Sequence, residues 1–179
     1  DLSHSNLRQA NLKKSTLTGI RLQNANLSQA RLQRANLDRS DLQQIVLEGA
    51  NLRGASLLRA DLRYSQLKNA VMVQTLLTDA RLTGCNLNGV DLQRSDLQRV
   101  KMDRATLKNS NLNGANFRRS ELNNAQLQGS SLIGTDFRSA QLKYANFDNS
   151  NYAAEELEKS EADLEKKEKK KIRRLTSFS

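Results

Sequence analysis

The sequence has no proline and no tryptophan, and only one cysteine and one histidine. Without proline, nothing in the chain prevents backbone hydrogen bonding between neighbouring segments. A single cysteine cannot form an internal disulfide, and one histidine without a cysteine cluster leaves no plausible zinc site. No hydrophobic run approaches the length that crosses a membrane, and no glycine-rich phosphate loop occurs. We therefore predict a protein without enzymatic activity, metal or cofactor.

What the sequence does contain is a period of five residues. A large apolar residue recurs at every fifth position from Leu2 to Tyr152, without an insertion or a deletion. Most of these residues are leucine. The variants are Met72, Met102, Phe117, Phe137, Phe147 and Tyr152. A small or β-branched residue lies two positions before each of them, from Ser5 to Ser150. A fixed period of this kind indicates a repeat architecture.

The period fits neither a helix, with apolar steps of three and four, nor a plain alternating strand. Two inward residues spaced two apart would share one face of a short extended segment, and the polar residues between such pairs would carry the chain around a bend. The glycines all fall in one slot, two residues after the large apolar residue, and glycine eases tight backbone geometry. They are Gly19, Gly49, Gly54, Gly84, Gly89, Gly114, Gly129 and Gly134. This slot is predicted to be a corner.

Three segments carry a family resemblance: ADLRY at 60–64, CNLNG at 85–89 and ANFRR at 115–119. They match the pattern A(D/N)LXX, and the chain resembles the pentapeptide-repeat family over residues 1–152. The resemblance implies an all-β solenoid, a right-handed quadrilateral parallel β-helix with four repeats in each coil of 20 residues. About seven and a half coils would then form a rod of roughly 35 Å, at the usual spacing between strands.

The composition changes after the repeats. Residues 153–175 are rich in helix formers and in charge, with acidic residues four positions before lysines at Glu155–Lys159 and Asp163–Lys167. This pattern predicts a charged helix that caps the C-terminal coil. A coiled-coil seam through Leu157 and Leu164 is the alternative. Residues 176–179 are predicted to be a disordered tail, and Thr176 follows two arginines as in a kinase site.

The exterior of the predicted rod is basic, since residues 1–150 carry 21 Lys and Arg against 12 Asp and Glu. If residues 20 apart stack, the positive charge concentrates on two adjoining sides. The candidate basic surface is Lys13, Lys14, Arg31, Arg34, Arg39, Arg53, Arg59, Arg94, Arg99 and Arg119. Four apolar residues in outward slots fall on the same sides and form a candidate partner patch. They are Leu58, Val71, Val73 and Leu76.

Three functions are compatible with such a rod. The first is a non-catalytic protein-binding or scaffolding module, which could also self-associate through a solenoid end or the C-terminal helix. The second follows from the resemblance, because some pentapeptide-repeat proteins imitate DNA and engage DNA gyrase; the basic charge disfavours it. The third is binding of nucleic acid or another anionic surface through the arginines. We favour the first, in the cytoplasm. Cys85 occupies an inward slot and is predicted to be a structural thiol.

Overall fold

The computed structural model describes residues 1–151. Within this part of the chain there is no helix, and the backbone segments pair through isolated parallel bridges, each between a residue and the one 20 positions later. The bridges recur every five residues, from Asn6↔Asn26 to Ser131↔Asn151. One coil therefore takes 20 residues and has four sides, which confirms the predicted quadrilateral β-helix. Residue 152, the predicted helix 153–175 and the tail 176–179 lie outside the described residues.

The four sides are named here by their first bridge residues: side A begins with Asn6, side B with Asn11, side C with Thr16 and side D with Arg21. The two turn residues between consecutive sides form the corners A/B, B/C, C/D and D/A. Coils are counted from residue 1 in blocks of 20. Residues at the same place in successive coils form a column, and the coils lie about 4.8 Å apart.

Every corner is a tight turn whose second residue has a positive φ. In nearly every turn the large inward residue accepts a hydrogen bond from the residue three positions later, as Leu22 does from Ala25 (3.0 Å). A positive φ at the third residue of such a turn is typical of type II turns. The corner predicted from the glycines is confirmed, but glycine occupies only 8 of these positions and other residues occupy 22.

The corner residues other than glycine form a backbone hydrogen bond that offsets part of the cost of their strained conformation. A left-handed φ costs a residue with a Cβ roughly 1–2 kcal/mol. At these corners from His4 to Asn124 the strained N–H donates to the next coil, as Arg34 does to the carbonyl of Arg53 (3.0 Å). Because stacking supplies this bond, the rod tolerates arginine, asparagine and even tyrosine at a position that otherwise favours glycine.

The interior of the rod is a continuous column of large and small apolar side chains, as the five-residue period predicted. From Leu22 to Leu142 the large inward residues are almost completely buried. Towards the C-terminal end the core becomes aromatic: the rings of Phe117 and Phe137 stack with centroids 5.3 Å apart, and Phe147 meets Phe137 edge-on at 5.9 Å. Side chains of neighbouring coils therefore stabilise one another along the whole axis.

Inward hydroxyl groups do more than fill space. Ser65 donates a hydrogen bond to the carbonyl of Leu42 (2.9 Å), and Ser95 donates to that of Met72 (2.6 Å). In each case the acceptor lies 23 residues earlier, in the preceding coil. A buried hydroxyl without a partner would cost stability, so this bond explains why serine and threonine alternate with alanine inside the rod.

The acidic and amide residues at the bridge position hold the turns. The Oδ1 atom of Asn86 accepts from the N–H of Asn88 (3.2 Å), and that of Asp91 from the N–H of Gln93 (3.2 Å). An Asn or Asp side chain that bonds its own backbone two residues on is a common turn device. These residues therefore have the structural role that the repeat predicted for them.

Gly84 lies at a corner where the Tyr64 side chain of the preceding coil occupies the space that a Cβ atom would need. A Cβ at Gly84 would be 2.8 Å from Cδ1 of Tyr64, whereas one at Gly49 would meet only Cγ of Gln29 at 3.7 Å. Both glycines have a positive φ. We expect Gly49→Ala to cost about 1–2 kcal/mol, and Gly84→Ala to cost about 1–3 kcal/mol more through overpacking. Thermal unfolding of both variants tests this.

The double variant Tyr64→Ala/Gly84→Ala supplies the control. Removing the tyrosine ring should recover the extra loss and leave only the cost of the positive φ. Equal destabilisation by Gly49→Ala and Gly84→Ala would show that the ring moves aside freely, contrary to this expectation.

Candidate functional site

The residues that most often carry chemistry are not brought together in the rod. His4 lies exposed at corner D/A, and Cys85 is buried inside. Burial raises the pKa of the Cys85 thiol to about 12, and its Sγ donates to the carbonyl of Leu62 (2.9 Å). Among residues 1–151 no cluster of His, Cys, Asp or Glu could hold a metal ion. We therefore look for function on the surface.

The arginine column at corner C/D is partly neutralised. It consists of Arg39, Arg59, Asp79, Arg99 and Arg119. Arg99 donates two hydrogen bonds to the Asp79 carboxylate (2.7 and 2.9 Å), and Nε of Arg59 lies 3.9 Å from the same group. The bonds from Arg99 lower the pKa of Asp79. Two of the column's arginines thus already share a carboxylate.

Further acidic side chains lie beside this column. Asp41 and Asp61 join Asp79 around a groove of about 370 Å³ at the edge of side D. On the other flank, Oδ1 of Asp38 accepts from the N–H of Leu58 (3.0 Å). Corner C/D is therefore a surface of mixed charge rather than a uniformly basic one.

Corner B/C has a different electrostatic character in its first three coils. Five of the predicted basic residues are exposed at this corner or on the adjoining side B, and none forms an ion pair with any residue from 1 to 151. They are Lys13, Lys14, Arg31, Arg34 and Arg53. No acidic residue occupies the adjoining bridge positions of sides B and C in these coils. These five cations are therefore not neutralised by an ion pair or by an acidic bridge residue beside them.

Backbone stacking places these cations close together. The N–H of Lys14 donates to the carbonyl of Gln33 (2.9 Å), and the N–H of Arg34 donates to that of Arg53 (3.0 Å). Arg31 bridges directly to its neighbours on side B, Asn11 and Asn51. We call the five cations the basic cluster. It spans two coil steps, or about 10 Å along the axis.

Three residues of the predicted apolar patch lie in the fourth coil, next to the basic cluster, and the other, Leu58, lies in the third coil at corner C/D. Val71 bridges to Asn51, and Val73 accepts a backbone bond from Gly54 (2.9 Å), so both follow directly on the cluster. Leu76 is 44% exposed, and Val71 and Leu58 are half-buried. Val73 was predicted to face solvent, but only 8% of it is exposed. Its turn position does not keep its side chain in water, and Leu76 is the most exposed residue of the predicted patch.

Three exposed apolar or aromatic residues were not singled out from the sequence. Tyr64 is 58% exposed, Ile133 is 55% exposed and Tyr144 is 48% exposed. All three lie at turn positions, so the five-residue frame alone could have found them. Tyr64 and Tyr144 share corner D/A, four coils apart, and Nζ of Lys143 lies 5.2 Å from the Tyr144 ring centroid. They do not form a contiguous aromatic row.

The repeats match a family model described as pentapeptide repeats, in eight copies. The matched residues are 5–44, 40–79, 75–114, 101–138 and 120–151. A search of curated proteins found no match. Among residues 1–151 no helix is long and apolar enough to cross a membrane.

Solved structures of similar shape include two trypsin-treated variants of QnrB1, a plasmid-mediated fluoroquinolone resistance protein. One has a TM-score of 0.53 and 15% identity, covering 83% of this chain and 86% of the other. The second has a TM-score of 0.55 and 14% identity, covering 80% and 77%. HetL, a pentapeptide repeat protein from the cyanobacterium Nostoc sp. strain PCC 7120, is 27% identical over 92% of this chain and 89% of its own, with a TM-score of 0.31. The QnrB1 likeness shows the fold alone.

Proposed function

The chain belongs to the pentapeptide-repeat family, whose members form right-handed quadrilateral β-helices, and we propose that it is a non-catalytic protein-binding module that presents corner B/C to a partner. A solenoid holds side chains at fixed spacing on a stiff support, which suits recognition rather than turnover. The observation that carries the proposal is the basic cluster, five exposed cations without an ion pair among residues 1–151. Charges of this kind steer and select a partner.

The apolar residues Val71 and Leu76 of the fourth coil, here called the apolar step, add to this argument. Protein contacts combine charged groups at the rim with apolar side chains at the centre. Leu76, 44% exposed, lies on side C one coil beyond the basic cluster, and the half-buried Val71 lies on side B of the same coil. At corner C/D, Arg59 and Arg99 contribute less, because the Asp79 carboxylate already pairs with both of them.

The proposal predicts a specific effect of charge reversal. Arg34→Glu should weaken partner capture about tenfold, because it replaces a central cation of the cluster by a repelling charge. Arg104→Glu is the matched control: Arg104 occupies the same turn position at corner D/A, with φ 60° against 57° for Arg34. Cross-linking and capture of cell proteins by each full-length variant, followed by quantification of the captured species, measures the difference. Equal capture by both variants would contradict the proposal.

Binding of nucleic acid through the same cations is the second candidate, since a basic surface attracts any polyanion. The basic cluster is short, however, and the exposed tyrosines do not form a stacking row. Imitation of DNA towards gyrase is disfavoured by the excess of 21 Lys and Arg over 12 Asp and Glu in residues 1–150. The cytoplasmic location and self-association remain predictions.

A further inference from the structure

The chemistry of corner B/C changes twice along the rod. Coils one to three carry the basic cluster, from Lys13 to Arg53, and coil four carries the apolar step with Leu76. In coil five the corner carries one exposed cation, Arg94, between two acidic bridge residues, Asp91 on side B and Asp96 on side C. A cationic stretch, an apolar contact and then a coil in which acids outnumber cations therefore follow one another within about 20 Å.

We propose that this corner binds a short acidic polypeptide segment that carries an apolar side chain, laid along the rod axis with its carboxylates on the basic cluster and its apolar residue on Leu76. This rests on the proposed protein-binding function and specifies the partner's chemistry. The order of the contacts also determines which end of the rod the acidic part of the segment faces. Its acidic part lies towards the N-terminal coils of the rod.

The dimensions fit a segment of about five residues. From the first to the fourth coil the axis advances about 14 Å, and an extended chain rises about 3.3 Å per residue. Two or three carboxylates can therefore lie over the basic cluster while a residue at the end of the segment reaches Leu76. Beyond that point the fifth coil offers one cation, Arg94, against two acids, Asp91 and Asp96, so further carboxylates would gain no net attraction there.

A long polyanion fits the same path poorly. A nucleic-acid strand running along the corner would lose its cations in the fourth coil and would then meet a single arginine, Arg94, between Asp91 and Asp96. Repeated phosphate contacts supply most of the affinity of such ligands, so an interruption after three coils removes much of it. The apolar step instead gains from an apolar side chain, which a phosphate backbone does not offer.

The rod itself contains an example of the proposed contact. At corner C/D the Asp79 carboxylate receives two hydrogen bonds from Arg99 and has Arg59 on its other side. Paired N–H donors on one carboxylate form the stronger, geometrically specific kind of ion pair. Corner B/C presents arginines on the same turn scaffold, but with no carboxylate supplied by residues 1–151. A partner's glutamate or aspartate would complete it.

The test uses fluorescence anisotropy with the full-length protein and three labelled peptides. The first peptide has three consecutive glutamates followed two residues later by leucine; the second replaces the leucine by serine, and the third replaces the glutamates by glutamine. We expect the first peptide to bind about fivefold more tightly than the second and the third not to bind. Raising the ionic strength from about 0.01 M to about 0.15 M should weaken binding, because the screening length shortens.

Matched variants locate the two contacts. Arg34→Glu should weaken the first peptide about tenfold and Leu76→Asp about fivefold. Arg104→Glu, at corner D/A, and Ile133→Asp, at corner B/C but three coils beyond Leu76, should leave affinity within about twofold. Leu76→Asp should also remove the preference for leucine over serine, since both peptides then meet the same unfavourable surface. Circular dichroism confirms that each variant retains its fold.

The opposite outcomes overturn the inference. Equal binding of the leucine and serine peptides, together with tighter binding of single-stranded DNA of equal charge, would assign the corner to a polyanion. If neither glutamate peptide binds while Arg34→Glu still abolishes capture of a protein partner, the corner binds protein of another chemistry. In that case the proposed function stands and this inference fails.

Discussion

Replacing Phe117 by alanine is expected to destabilise the rod by about 3–5 kcal/mol, the usual cost of emptying a buried phenylalanine site. The side chain is completely buried and stacks on Phe137 at 5.3 Å. Relaxation around it is limited, because the coils on both sides are held by backbone bonds such as that from Phe117 to Asp136 (2.8 Å). Denaturant unfolding measures the loss.

The location of the damage is part of the same expectation. In a solenoid each coil contacts only its neighbours, so the loss should concentrate near coils five to seven. Hydrogen exchange should accelerate at the N–H groups of Leu97 and Phe117, and much less at that of Leu27. Ile133→Ala, at a residue 55% exposed, is the control and should change stability by less than about 0.5 kcal/mol. A Phe117→Ala loss no larger than this control's would contradict a jointly packed core.

The thiol of Cys85 is expected to react with iodoacetamide at pH 8 about 10³-fold more slowly in the folded protein than in the unfolded chain. The thiolate is the reactive form, and burial raises the pKa of Cys85 from 9.0 to about 12. The side chain is also only 1% exposed, which restricts access of the reagent. Rates measured with and without denaturant give the ratio directly.

An exposed thiol on the same rod calibrates the rate. In the variant Ser139→Cys, which retains Cys85, the new thiol lies at an exposed corner and should react at an ordinary rate. Mass spectrometry of the modified peptides distinguishes the two sites. If Cys85 were modified as fast as Cys introduced at the corner, the assignment of Cys85 as an inert structural residue would be wrong.

Much of the fold followed from the order of residues. The five-residue frame identified the buried pair in each repeat, because only Leu-sized and small residues recur there, and the shared slot of the glycines identified the corner. The frame could not reveal how many repeats complete a coil. That number came from the resemblance to a known family, and the bridges between residues 20 apart confirm it.

The candidate site was predicted less completely, because contacts on the surface join residues of different coils. Arg99 and Asp79 are 20 positions apart, and their pairing removes charge from a column that the composition alone presents as basic. Lys14 and Arg34 belong to the same basic prediction, yet no residue from 1 to 151 forms an ion pair with either of them. The separation of residues in the sequence does not tell a paired arginine from an unpaired cation, because pairing depends on which side chains approach one another between coils.

The sequence by itself determined which residues line the interior and which positions turn, since a strict period leaves one consistent set of inward side chains. The tertiary structure alone decided which outward residues are available to a partner. Val73, at a turn position, and Leu76, at a bridge position, were both predicted to face outward, but Val73 is 8% exposed and Leu76 is 44% exposed. The physical reason is that exposure depends on the side chains stacked in the coils above and below, which the register of the whole rod brings into contact.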